Sequence, residues 1–296
     1  MQTASDRLPA AAAGTIAMGG DLTVNRMGFG AMRITGKGIW GLPEDVPGAI
    51  ATLRRAVELG VNLIDTADSY GPDVSEDLIA EALWPYPAEL VIATKAGWVR
   101  HDAGVWQHNA SPAHLEQALE GSLKRLRLER IDIYQLHVPD PAVSFDASME
   151  ALARLKEEGK IRHVALSNVT LEHIQRAQKI VPIVSVQNRY SFSDREWDFV
   201  VDYCAANGIA FLPWGPMAQG RKANEVVERI AAAREASTAV VSLAWLLRRS
   251  PAILPIPGTG KVKHLEENVS AAAFRLSDEE FAAMNAVVPK PYWLRA

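Results

Sequence analysis

Short aliphatic runs alternate with amphipathic helical segments along most of this 296-residue chain, and this repetition constrains the fold more than any other feature. Eight runs have the length and the β-branched or aliphatic composition of buried strands. They are Asn25–Phe29, Asn62–Asp65, Leu90–Thr94, Ile131–Leu136, His163–Ser167, Val184–Gln187, Ala210–Trp214 and Ile253–Pro257. Strands that alternate with helices, without polar linkers, are joined by right-handed crossovers into a parallel sheet. Eight such units predict an α/β fold, the closed (β/α)8 TIM barrel.

Several helix boundaries are marked in the sequence. Ser111-Pro112 has the residue types that begin a helix, and the apolar stripe over residues 149–155 ends at Gly159. Ser193-x-x-Glu196 and Ser277-x-x-Glu280 match the capping box, in which a side chain at each end satisfies a backbone N–H group of the first turn. These signals predict helices between the strands and a further one near the C-terminus.

Some segments fall outside eight plain units. Thr15–Met18 and Leu22–Val24 flank Gly19-Gly20-Asp21, which predicts an N-terminal β-hairpin placed to cover the barrel floor. Extra helices are predicted near the C-terminus, and the helical segments there are Asn224–Glu235, Thr238–Arg249 and Ser277–Val287.

The predicted organisation is a flexible, alanine-rich leader over residues 1–14 and a single domain over residues 15–296. A doubly wound open sheet is the alternative fold. No Gly-x-Gly-x-x-Gly follows a strand and no Gly-x4-Gly-Lys-Ser/Thr occurs, so the phosphate-binding signatures typical of such sheets are missing from the sequence.

The charge balance disfavours nucleic acids and membranes as partners. The chain has 31 Lys and Arg against 35 Asp and Glu, a formal net charge of −4, which provides no global field for phosphodiester backbones or anionic lipids. No run approaches the roughly 18 apolar residues of a membrane span. The single cysteine, Cys204, has no partner for an intramolecular disulfide, which favours a cytoplasmic location.

Polar residues follow the apolar runs where each strand ends. Asp65 ends the second run with Tyr70 five residues later, Lys95 follows the third run, and His137 follows the fourth. Taken singly, each residue has a structural explanation, such as a helix cap or a core histidine. In a barrel of this type the C-terminal strand ends converge on one mouth, so the four are expected to meet there. The later strands end at Ser167-Asn168, Gln187-Asn188, Trp214 and Pro257-Gly258.

Two other chemistries lack their signatures. The seven histidines form no His-x3-His or His-Glu-x-x-His pair, so no metal site is expected. No Gly-x-Ser-x-Gly occurs, which removes the usual hydrolase signal.

From Met27 onward the chain resembles the aldo-keto reductase family, and it is most similar to the bacterial NADPH-dependent branch. The motifs that carry the resemblance lie in order at the strand ends. They are Ile64-Asp65-Thr66-Ala67-Asp68-Ser69-Tyr70-Gly71, Ala93-Thr94-Lys95, Gln135-Leu136-His137, Leu166-Ser167-Asn168, Val186-Gln187-Asn188 and Ile256-Pro257-Gly258-Thr259. The resemblance implies a TIM-barrel oxidoreductase that reduces a small-molecule carbonyl compound with NADPH.

The resemblance also implies the site residues. The catalytic tetrad falls on Asp65, Tyr70, Lys95 and His137. Trp214 stands where the family usually has a tyrosine against the nicotinamide, and His264 where many relatives have an arginine. The residues implied in binding NADPH are Gly30, Ala31, Met32, Asp65, Ser167, Asn168, Gln187, Trp214, Gly215, Pro216, Gly258, Thr259, Lys261, His264, Glu267 and Asn268.

The chemistry of carbonyl reduction suits this tetrad. The carbonyl oxygen becomes an alkoxide, so the transition state needs a proton donor there, and Tyr70 is expected to supply it. A neighbouring ammonium lowers the pKa of a phenol, so Lys95, held by Asp65, is expected to lower the pKa of Tyr70. His137 is expected to be neutral and to orient the substrate oxygen.

The substrate pocket is expected to have aromatic walls. Trp40, Trp98, Trp106 and Met217 lie in or near the loops after the strands, next to His137, which favours bulky or aromatic aldehydes. Pyridoxal is a specific alternative, because residues 162–170 resemble bacterial family members that reduce it. A regulatory subunit that binds the nucleotide with little turnover, and a purely structural barrel, are the other readings.

Overall fold

The computed structural model describes residues 9–216 and 225–287. The strands are β1 (Thr15–Met18), β2 (Leu22–Asn25), β3 (Phe29–Gly30), β4 (Leu63–Asp65), β5 (Val91–Ala96), β6 (Trp98–Val99), β7 (Gln107–His108), β8 (Ile131–Leu136), β9 (Ile161–Ser167), β10 (Ile183–Gln187) and β11 (Ala210–Phe211). The helices are α1 (Val46–Glu58), α2 (Val74–Leu83), α3 (Pro112–Leu126), α4 (Phe145–Glu157), α5 (Leu171–Ala177), α6 (Asp198–Ala206), α7 (Glu225–Ala233), α8 (Thr238–Arg249), α9 (Val262–Ser270) and α10 (Asp278–Asn285).

Seven parallel strands form one curled sheet in the order β3-β4-β5-β8-β9-β10-β11. Residues 252–255 close this sheet into a barrel without forming a regular strand. On one side the Phe211 amide donates to the Ala252 carbonyl at 2.8 Å, and the Leu254 amide donates to the Phe211 carbonyl at 2.9 Å. On the other side the Gly28 amide donates to the Pro255 carbonyl at 2.9 Å. The predicted TIM barrel is confirmed, with an irregular eighth strand as its seam.

The side chain of Arg26 strengthens this seam. Its guanidinium donates to the carbonyl oxygens of Ile253 at 3.0 Å, Leu247 at 2.9 Å and Ser250 at 2.6 Å. These carbonyls lie at the end of α8 and in the seam segment itself. One side chain from the start of the barrel therefore binds the segment that completes it.

The N-terminal hairpin covers the barrel floor as predicted. Strands β1 and β2 pair antiparallel, and the side chains of Met18, Leu22 and Val24 are buried against inward-facing residues of β4, β5, β8 and β9. The turn needs glycine, because Gly19 has a φ of +63° and a Cβ there would lie 2.2 Å from the imidazole ring of His163. The hairpin thus seals the end of the barrel opposite the strand C-termini.

The larger core lies between the sheet and the surrounding helices. The predicted stripes are buried there, for example Leu115 and Leu119 of α3 and Leu152 of α4. Helix α3 begins as predicted, with the Ser111 hydroxyl accepting the His114 amide at 3.4 Å and Pro112 as its first residue. Cys204 is also buried, as its spacing on α6 indicates.

The two predicted capping boxes have opposite outcomes. The capping box at Ser277 is confirmed, since its hydroxyl accepts the Glu280 amide at 3.2 Å and the Glu280 carboxylate accepts the Ser277 amide at 2.7 Å. The one predicted at Ser193 is wrong, because Ser193 lies in a turn and α6 begins only at Asp198. The first barrel strand is also shorter than predicted, because Asn25 ends β2 of the hairpin.

The extra helices before and after the eighth strand are present as α7, α8 and α10. Within the segment predicted as a leader, Pro9–Ala13 form a 3-10 helix. There the Ala10 side chain is buried, its amide donates to the Leu59 carbonyl at 2.9 Å, and Arg275 donates to the Ala12 carbonyl at 2.6 Å. The rest of the leader before Pro9 lies outside the described residues.

No single helix within the described part of the chain is long and apolar enough to cross a membrane. Helices α7 and α8 reach that length and composition only as a pair, and the two are bent by 104° at their break.

Candidate active site

Strands β4 and β5 place a carboxylate and an ammonium side by side at the barrel mouth. Asp65 is the last residue of β4, and Lys95 lies in the neighbouring strand β5. The Lys95 Nζ atom donates to Asp65 Oδ2 at 2.6 Å, to the Thr66 carbonyl at 2.8 Å and to the Tyr70 hydroxyl at 3.4 Å. Lys95 is fully buried, so its three N–H donors all point to acceptors of the protein.

The second oxygen of Asp65 is bound by two amide side chains. Gln135 Nε2 and Gln187 Nε2 each donate to Asp65 Oδ1 at 2.8 Å. The sequence predicted Gln187 as a site residue but missed Gln135. A signal was available, because Gln135 lies two residues before His137 and strand side chains alternate between faces. Both therefore face the inside of the barrel, as Ile133 does.

His137 follows β8 directly and is held from several sides. Its amide donates to the Ala96 carbonyl at 2.8 Å, and its carbonyl accepts Asn168 Nδ2 at 2.9 Å. The ring nitrogen Nδ1 lies 3.4 Å from the Ser69 hydroxyl oxygen. The imidazole ring is nearly perpendicular to the Tyr70 ring, with centroids 5.8 Å apart. The phenol and the imidazole therefore share the mouth of the barrel.

Burial decides the protonation of this cluster. Burial raises the pKa of Tyr70 above its usual value; Lys95 lowers this pKa as expected, but its contribution does not outweigh the effect of burial. Burial lowers the pKa of Lys95, but the charge of Asp65 reverses the effect and leaves it raised. Burial and the charge of Lys95 hold the pKa of His137 well below its usual value. Tyr70 thus keeps its proton, Lys95 is charged and His137 is neutral at pH 7.

A cavity of about 410 Å³ opens at the same mouth. Asp65, Tyr70 and His137 line it together with many of the residues predicted to bind the cofactor. Those residues are Gly30, Met32, Ser167, Asn168, Gln187, Trp214, Gly215, Pro216 and Gly258. The cavity is thus lined both by chemically reactive side chains and by amide and aromatic groups.

Other predicted cofactor residues lie outside the lining of this cavity. Ala31 and Thr259 are buried beside it, and Lys261 precedes α9. His264 is exposed on α9, where the remaining two predicted residues, Glu267 and Asn268, also lie. They form a separate group at the rim, where the first turn of α9 has backbone N–H groups without helical partners. Met217 falls outside the described residues.

Hydrogen bonds hold the amide and indole side chains of the cavity in place. Asn168 has a φ of +56°, and its Oδ1 accepts the Trp214 indole N–H at 3.0 Å while its Nδ2 donates to His137. The indole of Trp214 is 36% exposed, which leaves part of its surface open. Amide and hydroxyl groups beside an aromatic face suit a flat ring that carries a carboxamide.

Elsewhere around the cavity, the backbone at Gly30 lies unusually close to the backbone at Ile256 and Gly258. A Cβ at Gly258 would lie 2.3 Å from the Gly30 carbonyl oxygen, and one at Gly30 would lie 2.7 Å from the Ile256 carbonyl oxygen. The first and eighth units therefore meet here without side chains, and their backbone borders the cavity directly.

A short hairpin, β6 and β7, supplies the aromatic wall. Trp98 and Trp106 both line the cavity, with ring centroids 5.8 Å apart at 81°. Trp40 does not line it, contrary to expectation. A backbone bridge pairs Trp40 with Gly71, and the guanidinium of Arg100 lies 5.4 Å from its ring centroid. The sequence did not predict this hairpin or Arg100.

Residues 9–216 and 225–287 contain no group of three or more His, Cys, Asp or Glu side chains that could hold a metal ion.

The model of the aldo/keto reductase family matches residues 26–289. The chain belongs to the aldo/keto reductase family. An uncharacterized oxidoreductase of Schizosaccharomyces pombe is 48% identical over 284 residues, which cover 95% of this chain and 92% of the relative. Pyridoxine 4-dehydrogenase of Escherichia coli is 41% identical over 275 residues, which cover 90% of this chain and 96% of the relative.

Solved structures agree with this aldo/keto reductase fold. The glycerol dehydrogenase of Gluconobacter oxydans has a TM-score of 0.83 at 26% identity and covers 94% of this chain and 97% of its own. An aldo/keto reductase of Klebsiella pneumoniae, solved with NADP and acetate, has a TM-score of 0.78 at 26% identity and covers 94% and 96%. The predicted class, an oxidoreductase that acts on carbonyl groups, is therefore confirmed.

Proposed function

We propose that this aldo/keto reductase reduces an aldehyde or ketone with NADPH, using Tyr70 as the general acid. One observation carries the proposal: the Lys95 ammonium is bound at once to the Asp65 carboxylate and the Tyr70 hydroxyl, at a cavity that Tyr70 lines. The cofactor follows from the amide and aromatic groups of that cavity. The Klebsiella pneumoniae relatives solved with NADP and with NADPH support it.

NADPH, when bound, supplies the hydride for the carbonyl carbon. In this proposal Ser167, Asn168 and Gln187 hold the carboxamide of the nicotinamide, and the Trp214 indole packs against its ring. Lys261 and the start of α9 hold the phosphate of the adenosine half, because a helix N-terminus and an ammonium both attract an anion.

Side chains of the protein donate the proton to the substrate oxygen and stabilise the charge that its transfer leaves behind. The raised pKa of Tyr70 keeps the phenol protonated near neutral pH, so it donates only as negative charge develops on the substrate oxygen. The phenolate left behind is stabilised by Lys95, whose Nζ lies 3.4 Å from the hydroxyl oxygen. Neutral His137 donates a hydrogen bond to the same substrate oxygen and sets its orientation.

The test is turnover of a panel of aldehydes and ketones by the purified protein, followed by the loss of NADPH absorbance. Reduction of several carbonyl compounds, at rates about 10²–10⁴-fold lower in a Tyr70→Phe preparation, is the expected result. Tight binding of NADPH without turnover of any carbonyl compound would instead favour a regulatory subunit.

Pyridoxal is a second candidate for the substrate. It is favoured by the Escherichia coli relative, a pyridoxine 4-dehydrogenase that shares 41% identity over nearly the whole chain. It is also a flat aromatic aldehyde, and the Trp98 and Trp106 rings wall the cavity. A value of kcat/KM for pyridoxal that exceeds those for other aromatic aldehydes of similar size by tenfold or more, a difference of about 1.4 kcal/mol, would establish it. A value within the range of those aldehydes would exclude it as a dedicated substrate.

A further inference from the structure

Arg100 follows the short strand β6 and ties two loops at the barrel mouth together. Its Nη1 donates to the Ile39 carbonyl at 2.5 Å and its Nη2 donates to the Gly38 carbonyl at 3.1 Å. Gly38 and Ile39 belong to the loop between β3 and α1, whereas Arg100 belongs to the loop between β5 and α3. The side chain is therefore the link between the first and third units of the barrel at this level.

The same guanidinium packs on two tryptophan rings. Its carbon lies 4.0 Å from the ring centroid of Trp106 and 5.4 Å from that of Trp40. Trp106 lines the cavity that contains Tyr70 and His137, so Arg100 supports the wall of this cavity from behind. A planar guanidinium combines this stacking with a two-pronged hydrogen bond, and a lysine ammonium does not.

The charged side chain of Arg100 is buried without a carboxylate partner among the described residues. The residue is 6% exposed, and no Asp or Glu forms an ion pair with it within residues 9–216 and 225–287. Burial lowers its pKa without any opposing carboxylate. Burying an unpaired cation costs free energy. Among the described residues its partners are carbonyl oxygens and aromatic faces, so its contribution lies in fixing the groups that it contacts.

The loop that Arg100 binds contains local strain. Ile39 has a φ of +59°, a conformation that a β-branched residue rarely adopts. The loop is folded back by a bond from the Ile39 amide to the Gly36 carbonyl at 3.0 Å. It is joined to the Tyr70-Gly71 segment by a bond from the Gly41 amide to the Gly71 carbonyl at 2.6 Å. The two carbonyls that Arg100 binds lie at and next to this strained residue, so Arg100 stabilises the strained conformation.

We propose that Arg100 is a specificity-determining positioning residue. By fixing the Gly36–Gly41 loop and the Trp106 ring together, it keeps the cavity wall in the position that receives a bulky aromatic carbonyl compound. Short aliphatic carbonyl compounds do not reach this wall and gain nothing from its position. This inference rests on the proposed carbonyl reduction, and it adds a residue that acts through Trp106 and not on the reacting atoms.

The kinetic test compares Arg100→Lys with Arg127→Lys. Arg127 also lies over a tryptophan, 5.3 Å from the Trp84 centroid, but after α3 and away from the cavity, so it is a matched control. For Arg100→Lys we expect KM for an aromatic aldehyde to rise several-fold, by no more than removal of the Trp106 ring raises it, while kcat and the KM for propanal stay unchanged. Arg127→Lys should change none of these values. An equal change for both aldehydes, or no change for either, would overturn the specificity role.

Hydrogen exchange tests whether Arg100 holds the Gly36–Gly41 loop, and it needs no measurement of enzyme activity. In Arg100→Lys the amides of Ile39 and Gly41 should exchange at least tenfold faster than in the unmutated protein, because their loop opens locally at lower cost. In Arg127→Lys their rates should not change. Unchanged rates in Arg100→Lys would show that Arg100 does not hold the loop. If the unmutated protein reduces no carbonyl compound, the proposed function and the specificity role both fail, and the exchange rates still decide whether Arg100 ties the loops.

Discussion

The strand-end cluster (Asp65, Lys95, Tyr70, Gln135 and Gln187) and the rim of the mouth are built in different ways. In the cluster every charged group is buried, and the side chains bind one another at the ends of strands in one sheet, with Tyr70 added from the turn after β4. At the rim, the β6–β7 hairpin and the first turn of α9 present half-buried or exposed side chains from loops and helix ends. The difference indicates that the sheet and the turn after β4 position the reactive groups, whereas the outer loops determine which substrates the cavity accepts.

The largest expected effect belongs to the cluster. Tyr70→Phe should lower kcat by a factor of about 10²–10⁴, because it removes the proton donor and preserves the ring. The dissociation constant for NADPH, measured by fluorescence titration, should stay within a few-fold. Tyr203→Phe is the control, since its hydroxyl bonds to Gln178 on the protein surface, and it should behave as the unmutated enzyme does. Substantial kcat in Tyr70→Phe would remove the general acid from the cluster.

The next effect belongs to the rim at α9. NADPH should be preferred over NADH by about 10–100-fold in kcat/KM, roughly 1.4–2.7 kcal/mol, because Lys261 and the helix N-terminus attract the extra phosphate. Lys261→Ala should narrow the margin and leave the NADH kinetics nearly unchanged. Lys179→Ala, an exposed lysine elsewhere, should leave the margin intact. Equal use of both cofactors by the unmutated enzyme would mean that α9 does not bind the phosphate.

A smaller effect links His137 to stability. Its folded pKa lies well below the unfolded value of about 6.5, so below pH 6.5 the unfolded chain takes up a proton that the folded chain does not. The free energy of unfolding should therefore fall as pH drops, by up to about 1.4 kcal/mol per pH unit from this group.

Urea unfolding of the unmutated protein and of His137→Gln at several pH values between 7.5 and 5.5, about one unit either side of the unfolded pKa, isolates this contribution. The stability of the unmutated protein should fall faster than that of the variant, because the other titrating groups are common to both. Parallel pH profiles would show that His137 titrates alike in the folded and unfolded chains.

The smallest effect belongs to the hairpin part of the rim. Trp106→Ala should raise KM for a bulky aromatic aldehyde several-fold and change kcat little, since a wall residue binds substrate and transition state alike. Phe199→Ala removes a ring that is 52% exposed and far from the mouth, and it should leave KM unchanged. A large loss of kcat in Trp106→Ala would show that this ring contributes to catalysis, and the functional distinction between cluster and rim would then be wrong.

The cluster was largely predictable from the sequence because the ends of its strands can be predicted. An apolar run that stops at Asp65, Lys95 or His137 marks both the strand and the residue that faces the mouth. Gln135 escaped because it lies inside such a run, where a polar residue does not interrupt the pattern enough to be noticed. The direction of the Tyr70 pKa also escaped, since residue types alone do not weigh burial against a nearby ammonium.

The rim was less predictable for physical reasons that differ from place to place. Strands β6 and β7 have two residues each, too few to show an alternation of polar and apolar side chains. The position of Arg100 depends on carbonyl groups of a loop some 60 residues earlier, which no local pattern encodes. The eighth strand was located correctly but not its irregular form, which follows from Pro255 and Pro257, since proline has no N–H to donate to a neighbouring strand.

The seam has a consequence for how the protein is made. Synthesis runs from the N-terminus, so Gly28 and Arg26 leave the ribosome long before their partners at residues 253–255 exist. Until then the nascent chain holds an open sheet with two unpaired edges, at β3 and at β11, and open edges invite pairing with other chains. A chain that stopped before residue 252 would lack both sets of seam hydrogen bonds, so its barrel could not close.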